Sequence, residues 1–178
     1  MIMNAKTPPK RIPTVVTFLE MTSRPTMPPP AQPPGKIALL RAENPPVHFY
    51  RYLYDTIGKA HYWIDRKKLN DAALGNLLTD PALHLYVLYV EGCPAGMAEY
   101  DLRNPAAAQL AYFGLVPEYI GRRLGHYFLH QSVLNAWLEA IETLRVNTCT
   151  LDHPRALPLY QRVGFVPYTR EERYIELP

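Results

Sequence analysis

The sequence predicts an α+β fold: a mixed, mostly antiparallel central sheet with helices on both faces. Two observations lead to this prediction. Residues 83–116 hold three β-rich runs separated by turn residues, which is typical of an antiparallel meander. The remainder of the chain then alternates between helical and strand patterns, which places helices against the sheet. A doubly wound parallel sheet is disfavoured, because it would not begin with a meander.

The N-terminal part of the chain is rich in proline. Nine of the 19 prolines lie within residues 1–35. Proline lacks a backbone donor and restricts the residue before it, so the stretch 25–34 favours a linker with polyproline character over a ligand for a partner domain. We therefore predict a Pro-rich extension over 1–35 with one short strand around residues 15–19. A single domain, long enough to be an enzyme domain, follows over 36–178.

One strand and two helices are predicted between this extension and the meander. Residues 36–41 form the strand. Apolar and aromatic residues at spacings of three and four predict a helix over 47–57 that ends at Gly58. A second helix is expected over 71–78, with Asn70 as its N-cap.

The spacing of apolar residues and the positions of turn residues predict the meander and the elements after it. Glu91 and Gly92 supply a hairpin turn, and Pro117 closes the third strand. Apolar spacing predicts one long amphipathic helix over 122–142. A shorter helix is expected to begin with Pro154 at its first position and to end at Gly164. The predicted strands of this part of the chain are 83–90, 95–102, 110–116, 146–151 and a last one from Phe165.

Charge and cysteine content exclude several classes of protein. Nineteen Lys and Arg residues against 16 Asp and Glu residues give a net charge of +3, too mild for a dedicated nucleic-acid binder. Two cysteines are too few for a disulfide framework. The sequence also lacks the apolar runs of a signal peptide or a membrane span. We expect a cytoplasmic protein that binds neither nucleic acid nor membrane.

The junction after the third meander strand is a candidate anion site. It passes from Val116 through Gly121, Arg122 and Arg123 into the long helix. A helix begins with free amides and a positive dipole end, and two arginines add charge, so phosphate is a suitable ligand there. Neither a Walker motif nor a dinucleotide fingerprint is present.

A second junction, at residues 152–165, completes a family resemblance. Together the two junctions resemble the GNAT superfamily of acetyl-CoA-dependent N-acyltransferases. Ile120, Arg123 and Gly125 occupy the first, fourth and sixth positions of its Q/R-x-x-G-x-G/A motif, with Ile120 and Arg123 departing from the usual residues. The A-x-x-x-Y-x-x-x-G-F helix of the family is matched in full by Ala156, Tyr160, Gly164 and Phe165.

The resemblance implies an N-acetyltransferase that moves an acetyl group from acetyl-CoA to a primary amine in a ternary complex, without a metal. It implies that pantetheine lies between two splayed parallel strands, and it admits a homodimer. The acceptor would be a small molecule or a protein amine. The cofactor-binding residues implied are Leu115, Val116, Gly121, Arg122, Arg123, Leu124, Gly125, His126, His153 and Ala156.

Two residues are the candidate catalytic groups. Tyr160 matches the position of the family's general acid, which would protonate the departing thiolate. For the general base we favour Glu99, on the central strand, where a carboxylate facing the cleft could accept a proton through water. Glu118 is the weaker rival.

Other features favour ordinary structural roles. His126 and His130 are one helical turn apart but have no third ligand, so we expect no zinc site. Cys149 is expected in the core. The aromatic residues Tyr50, Tyr52, Tyr54, Tyr62 and Trp63 suit core packing, an acceptor pocket or base stacking.

Two other functions remain open. The departures at Ile120 and Arg123 favour a non-catalytic coenzyme A-binding or scaffolding protein of this fold, and the aromatic residues would suit a binder of single-stranded RNA.

Overall fold

The computed structural model describes residues 11–176. Pro8 and Pro9, which belong to the predicted extension, lie outside the described residues. The elements, in chain order, are β1 (Arg11–Met21), β2 (Ile37–Ala42), α1 (Val47–Gly58), α2 (Asp71–Leu78), β3 (Leu83–Val90), β4 (Cys93–Asp101), β5 (Ala108–Leu115), α3 (Leu124–Ala136), β6 (Leu144–Cys149), α4 (Ala156–Val163) and β7 (Val166–Glu176).

The strands form one seven-stranded sheet in the order β2-β3-β4-β5-β6-β1-β7. All neighbouring strands run antiparallel except β5 and β6, which are parallel. The predicted meander is confirmed as β3, β4 and β5. Its first turn places both Glu91 and Gly92 at positive φ, 53° and 85°, the conformation of a two-residue hairpin turn.

Strand β1 corrects the prediction of a short strand in an N-terminal extension. It is eleven residues long and lies inside the sheet, where Phe18 pairs with Asn147 of β6 and with Thr169 of β7. The predicted boundary at residue 35 therefore does not separate this strand from the sheet. The apolar run at 15–19 showed only part of the strand, because pairing along both edges also holds the polar residues on either side.

Helices cover both faces of the sheet, as predicted. Alternation along each strand sends neighbouring side chains to opposite faces, so Met97 and Ala98 of β4 lie in two different hydrophobic clusters. One cluster packs α1 and α2 on the sheet. The other packs α3 and α4 on the opposite face, around Phe128 and Leu129.

The α2 prediction is confirmed and the α3 prediction is too long. Asn70 caps α2 by accepting a hydrogen bond from the amide of Ala73 at 2.8 Å. Helix α3 ends at Ala136 rather than at residue 142. The apolar periodicity continued because Trp137 and Ile141 still pack on the core, although from the irregular segment after the helix.

Helix α4 begins two residues later than predicted. Arg155 is its N-cap, so Pro154 lies outside the helix and Pro158 is the proline of its first turn. Proline is tolerated at that position because amides in the first turn have no acceptor within the helix. Gly164 ends the helix as predicted, with φ at 116°.

Candidate active site

A cleft opens where the two parallel strands separate. Strands β5 and β6 pair only at Ala108 with Leu144 and at Gln109 with Arg145, although both strands continue beyond these pairs. A cleft of about 1360 Å³ begins there. Its lining includes Trp63 and Arg66 from the α1 side of the sheet, and Leu159 and Tyr160 from the α4 side. The gap therefore connects the two faces of the sheet.

The start of α3 forms a cradle of amides at one end of the cleft. Gly121 has φ at 86°, and Arg123, the N-cap of α3, has φ at 61°. Left-handed residues in such a turn direct successive amides toward one point, the arrangement of an anion nest. Within residues 11–176, no protein group accepts a hydrogen bond from the amides of residues 121–126. These amides are available to a ligand.

Positive side chains line the same cleft as this cradle. Arg122 and Arg123 line the cleft, and Arg122 stacks over the ring of Tyr119 at 4.9 Å. Two further arginines, Arg155 and Arg162, line it from α4 and were not among the predicted site residues. Their position in the second junction was visible in the sequence, but nothing in the spacing showed that α4 faces the start of α3.

His126 also lines the cleft, in surroundings that favour its neutral imidazole. Burial, followed by the charges of Arg162 and His130, lowers the pKa of His126 below its ordinary value. A phosphate group in the cradle would act in the opposite direction, since a nearby anion favours the protonated imidazole.

Tyr160 lines the cleft with a protonated hydroxyl. The residue is 7% exposed, and its ring packs edge to face against Phe113 and Phe165. Burial, reinforced by the charge of Asp152, raises the pKa of Tyr160. The hydroxyl is therefore a hydrogen-bond donor at neutral pH and has the right form for a general acid.

Glu99 does not face the cleft, and in this respect the prediction was wrong. The residue is 0% exposed. Its Oε2 accepts a hydrogen bond from the hydroxyl of Tyr50, and its Oε1 accepts one from Arg66 Nη2 at 2.5 Å. Alternation placed Glu99 on the α1 face, where helix α1 covers it and Tyr50 and Arg66 occupy its two oxygens. The rival Glu118 is exposed on the turn after β5, outside the cleft lining.

Nine of the ten predicted cofactor-binding residues line the cleft. Those that line the cleft are Leu115, Gly121, Arg122, Arg123, Leu124, Gly125, His126, His153 and Ala156. Val116 does not. Its side chain is buried, its amide donates to the carbonyl of Ala95 at 2.9 Å, and its own carbonyl accepts from Tyr119. The Val116 side chain and amide are therefore turned away from the cleft, and its role in cofactor binding stays a prediction.

The predicted aromatic cluster is divided between core and cleft. Tyr50 and Tyr54 are buried, whereas Tyr62 and Trp63 line the cleft. Tyr112 of β5, which the cluster did not include, packs against both Tyr54 and Trp63 with ring centroids 4.9 Å away. Cys149, expected in the core, is half-buried and lines the cleft.

Neither a metal cluster nor a membrane span is found among the described residues. Residues 11–176 contain no group of three or more His, Cys, Asp or Glu side chains arranged to hold a metal ion. None of the helices in this range combines the length and the apolar character needed to cross a membrane.

A sequence match that spans most of these elements identifies the family of the chain. The profile described as the acetyltransferase (GNAT) family matches residues 25–165. The chain belongs to the GNAT acetyltransferase family. No curated protein sequence matches it. The family membership confirms the resemblance that rested on the junctions at 120–125 and 156–165.

Solved GNAT structures share the fold at low sequence identity. A GCN5-related N-acetyltransferase from Kribbella flavida is 15% identical with a TM-score of 0.63, covering 98% of this chain and 59% of that one. A tandem GNAT protein from the clavulanic acid biosynthesis pathway is 17% identical with a TM-score of 0.62, covering 94% of this chain and 53% of that one. The chain thus spans little more than half the length of these two structures.

A third similar structure is an aminoglycoside acetyltransferase from an uncultured soil metagenomic sample. It is 12% identical with a TM-score of 0.59, covering 72% of this chain and 87% of that one. At this identity the likeness shows the GNAT fold alone.

Arg123 is the clearest departure of this GNAT chain from the family motif. The motif has a glycine where Arg123 stands, and Arg123 adopts a left-handed backbone that glycine takes without strain. The backbone of the loop thus keeps a conformation suited to glycine while its side chain adds a cation at the cleft.

Proposed function

We propose that the protein is an N-acetyltransferase that moves an acetyl group from acetyl-CoA directly to a primary amine in a ternary complex. The observation that supports this proposal is the cleft between β5 and β6, which is lined from both faces of the sheet. Acetyl-CoA entering from the α3 face and an amine entering from the α1 face could both be bound in this gap at the same time, as direct transfer requires.

The groups at the start of α3 fit the diphosphate of coenzyme A. Free amides of residues 121–126 and the positive end of a 13-residue helix suit a doubly charged anion. Arg122, Arg123, Arg155 and Arg162 would add charge-assisted contacts to its phosphates. Leu115, His153 and Ala156 lie along the same cleft, where the pantetheine arm would pass.

The chemistry needs one proton donor that this chain supplies. Acetyl-CoA provides an acetyl group activated as a thioester. The neutral amine attacks the carbonyl carbon, the C–N bond forms, and the C–S bond breaks. In this proposal the Tyr160 hydroxyl gives its proton to the departing sulfur, while the proton lost by the nitrogen goes to water in the cleft. Burial raises the pKa of the phenol and of the departing thiol alike, so the phenol remains the weaker acid of the two, and its hydrogen bond to the sulfur stabilises the developing negative charge as the proton is transferred.

A second function is favoured by one observation. Glu99, the carboxylate that the sequence offered as the base, is buried and paired with Arg66. A protein that binds coenzyme A without transferring an acetyl group needs no base, and this arrangement is compatible with that role.

Binding and turnover measured separately distinguish the two functions. Calorimetry should show tighter binding of coenzyme A than of pantetheine, which lacks the diphosphate. Equal affinities would place the ligand away from the start of α3. A panel of primary amines with acetyl-CoA, followed by thiol detection, should then show amine-dependent release of coenzyme A. Binding without release across the panel would favour the non-catalytic function.

A further inference from the structure

Arg66 is held rigidly at the α1 end of the cleft. Its side chain is 18% exposed, and its guanidinium lies 5.3 Å from the ring centroid of Tyr112. Its Nη2 donates to Glu99, and its backbone amide donates to the hydroxyl of Tyr54 at 3.2 Å. Burial opposes the positive charge, but the Glu99 carboxylate outweighs burial and raises the pKa of Arg66. The guanidinium is therefore charged and oriented before any ligand arrives.

Part of the guanidinium has no protein partner. Nη2 is engaged by Glu99, and Nε is buried without a hydrogen-bond acceptor. Among the described residues, no protein acceptor contacts Nη1. Because Arg66 lines the cleft, the N–H groups of Nη1 are the donors that a ligand in the cleft can reach.

The two carboxylates that line the cleft at this end, Asp65 and Asp101, already have cationic partners. Asp65 pairs with Lys68 at 3.1 Å, and Asp101 pairs with Arg103 at 2.5 Å. Glu99 lies behind the guanidinium and is wholly buried, so a ligand meets the donors of Arg66 rather than this carboxylate. Burial, followed by interaction with Tyr54, raises the pKa of Tyr112, which stays neutral. Trp63 and Tyr112 add an aromatic wall.

We propose that the acceptor amine carries a carboxylate, which binds Arg66 while the amino group lies toward the gap between β5 and β6. This inference rests on the proposed acetyl transfer and narrows its acceptor to amino acids and related amino carboxylates. A planar guanidinium fixed by a buried carboxylate is preorganised for a second carboxylate, and the aromatic wall suits an apolar side group.

The first experiment tests carboxylate recognition independently of turnover. In a Trp137→Phe variant, Trp63 is the remaining tryptophan and reports on the pocket by fluorescence. Titration with 3-phenylpropionate, in the presence of coenzyme A, should give an affinity at least about tenfold higher than titration with 3-phenylpropionamide. Equal affinities for these two probes overturn the inference, whether or not the protein transfers acetyl groups.

The second experiment tests the amine. Phenylalanine and 4-aminobutyrate should each be acetylated with at least about tenfold higher kcat/KM than the corresponding amide. A preference for the amides overturns the inference. If the carboxylate probe binds as expected but no amine is acetylated, the proposed transfer fails while carboxylate recognition stands.

A matched double variant assigns the effect to Arg66. Arg66→Gln alone would leave Glu99 buried and unpaired, so Arg66→Gln with Glu99→Gln replaces an ion pair with a neutral hydrogen-bonding pair. Thermal unfolding checks that this variant is folded. We expect the difference between 3-phenylpropionate and its amide to disappear in the double variant. A difference that persists shows that another group binds the carboxylate.

Discussion

The hydroxyl of Tyr50, on α1, donates a hydrogen bond to Oε2 of Glu99, on β4, in the interior between the helix and the sheet. Together with Arg66 on Oε1, this bond satisfies a carboxylate that is fully removed from solvent. Burial, followed by the charge of Glu99, strongly raises the pKa of Tyr50, so the phenol stays protonated and keeps donating. The pair joins α1 to the sheet at the α1 end of the cleft.

Tyr50→Phe should therefore destabilise the fold. The substitution keeps the ring but removes a donor from a buried charge, which costs about 1.5–3 kcal/mol of unfolding free energy. Tyr52→Phe is the matched control, since Tyr52 lies on the same helix and is 50% exposed. Denaturant unfolding of both variants measures the difference. Equal stabilities would show that the hydroxyl of Tyr50 contributes nothing to the folded state.

Tyr160→Phe should impair the chemical step without lowering stability. The phenylalanine ring preserves the contacts with Phe113 and Phe165, and a general-acid role predicts a loss of about 10²–10⁴-fold in kcat. Tyr174→Phe, at an exposed position on β7, is the control for the loss of a phenol. Steady-state kinetics and thermal unfolding of the same preparations separate the two effects. A lower unfolding temperature with unchanged kcat would assign Tyr160 to packing alone.

Arg123→Gly should change stability and ligand affinity in opposite directions. Glycine adopts the left-handed conformation of this residue without strain, and after its larger chain entropy is counted we expect a gain of about 0.5–1 kcal/mol in stability. Loss of the cation should weaken coenzyme A binding roughly tenfold. Arg122 is not among the residues with positive φ, so Arg122→Gly should not gain stability. Unfolding and calorimetry test the two effects, and tighter binding after the Arg123→Gly substitution would mean that the arginine side chain obstructs the phosphate site.

Stability should decrease as the pH falls below about 6.5, the ordinary pKa of histidine. Burial and the charge of Arg162 lower the pKa of His126 in the folded state. Between that lowered pKa and 6.5, the unfolded chain binds a proton that the folded chain does not, so unfolding becomes easier. Above 6.5 both states are neutral at this position and no dependence remains.

His126→Asn should flatten this part of the stability profile. Unfolding temperatures measured between pH 7.5 and pH 5 test the effect, with the exposed His48→Asn as the control. His84 contributes in the same direction, because burial and then Arg41 lower its pKa, so the His126 variant retains part of the slope. A slope identical to that of the parent protein would rule out His126 as a contributor.

Much of the candidate site was predictable from local sequence, and one part was not. Gly121, Arg123 and Gly125 could be placed at the start of α3 because glycine, arginine and helix periodicity are local signals. Glu99 could not be placed correctly. Alternation shows that Glu99 and Tyr100 point to opposite faces, but it does not show which face holds the gap or that Tyr50, 49 positions earlier, covers the carboxylate.

The sequence by itself determined the fold class, the order of the elements and the family, because strand alternation, the Asn70 cap, the Gly164 terminus and the two motif junctions act over short distances. Only the tertiary structure decided that β1 lies inside the sheet and that Arg155 and Arg162 line the same cleft as the start of α3. It also decided that Arg66 reaches Glu99 across 33 positions of the chain. These contacts depend on how the sheet and helices pack together, and packing partners far apart in the chain have no spacing that a sequence pattern can show.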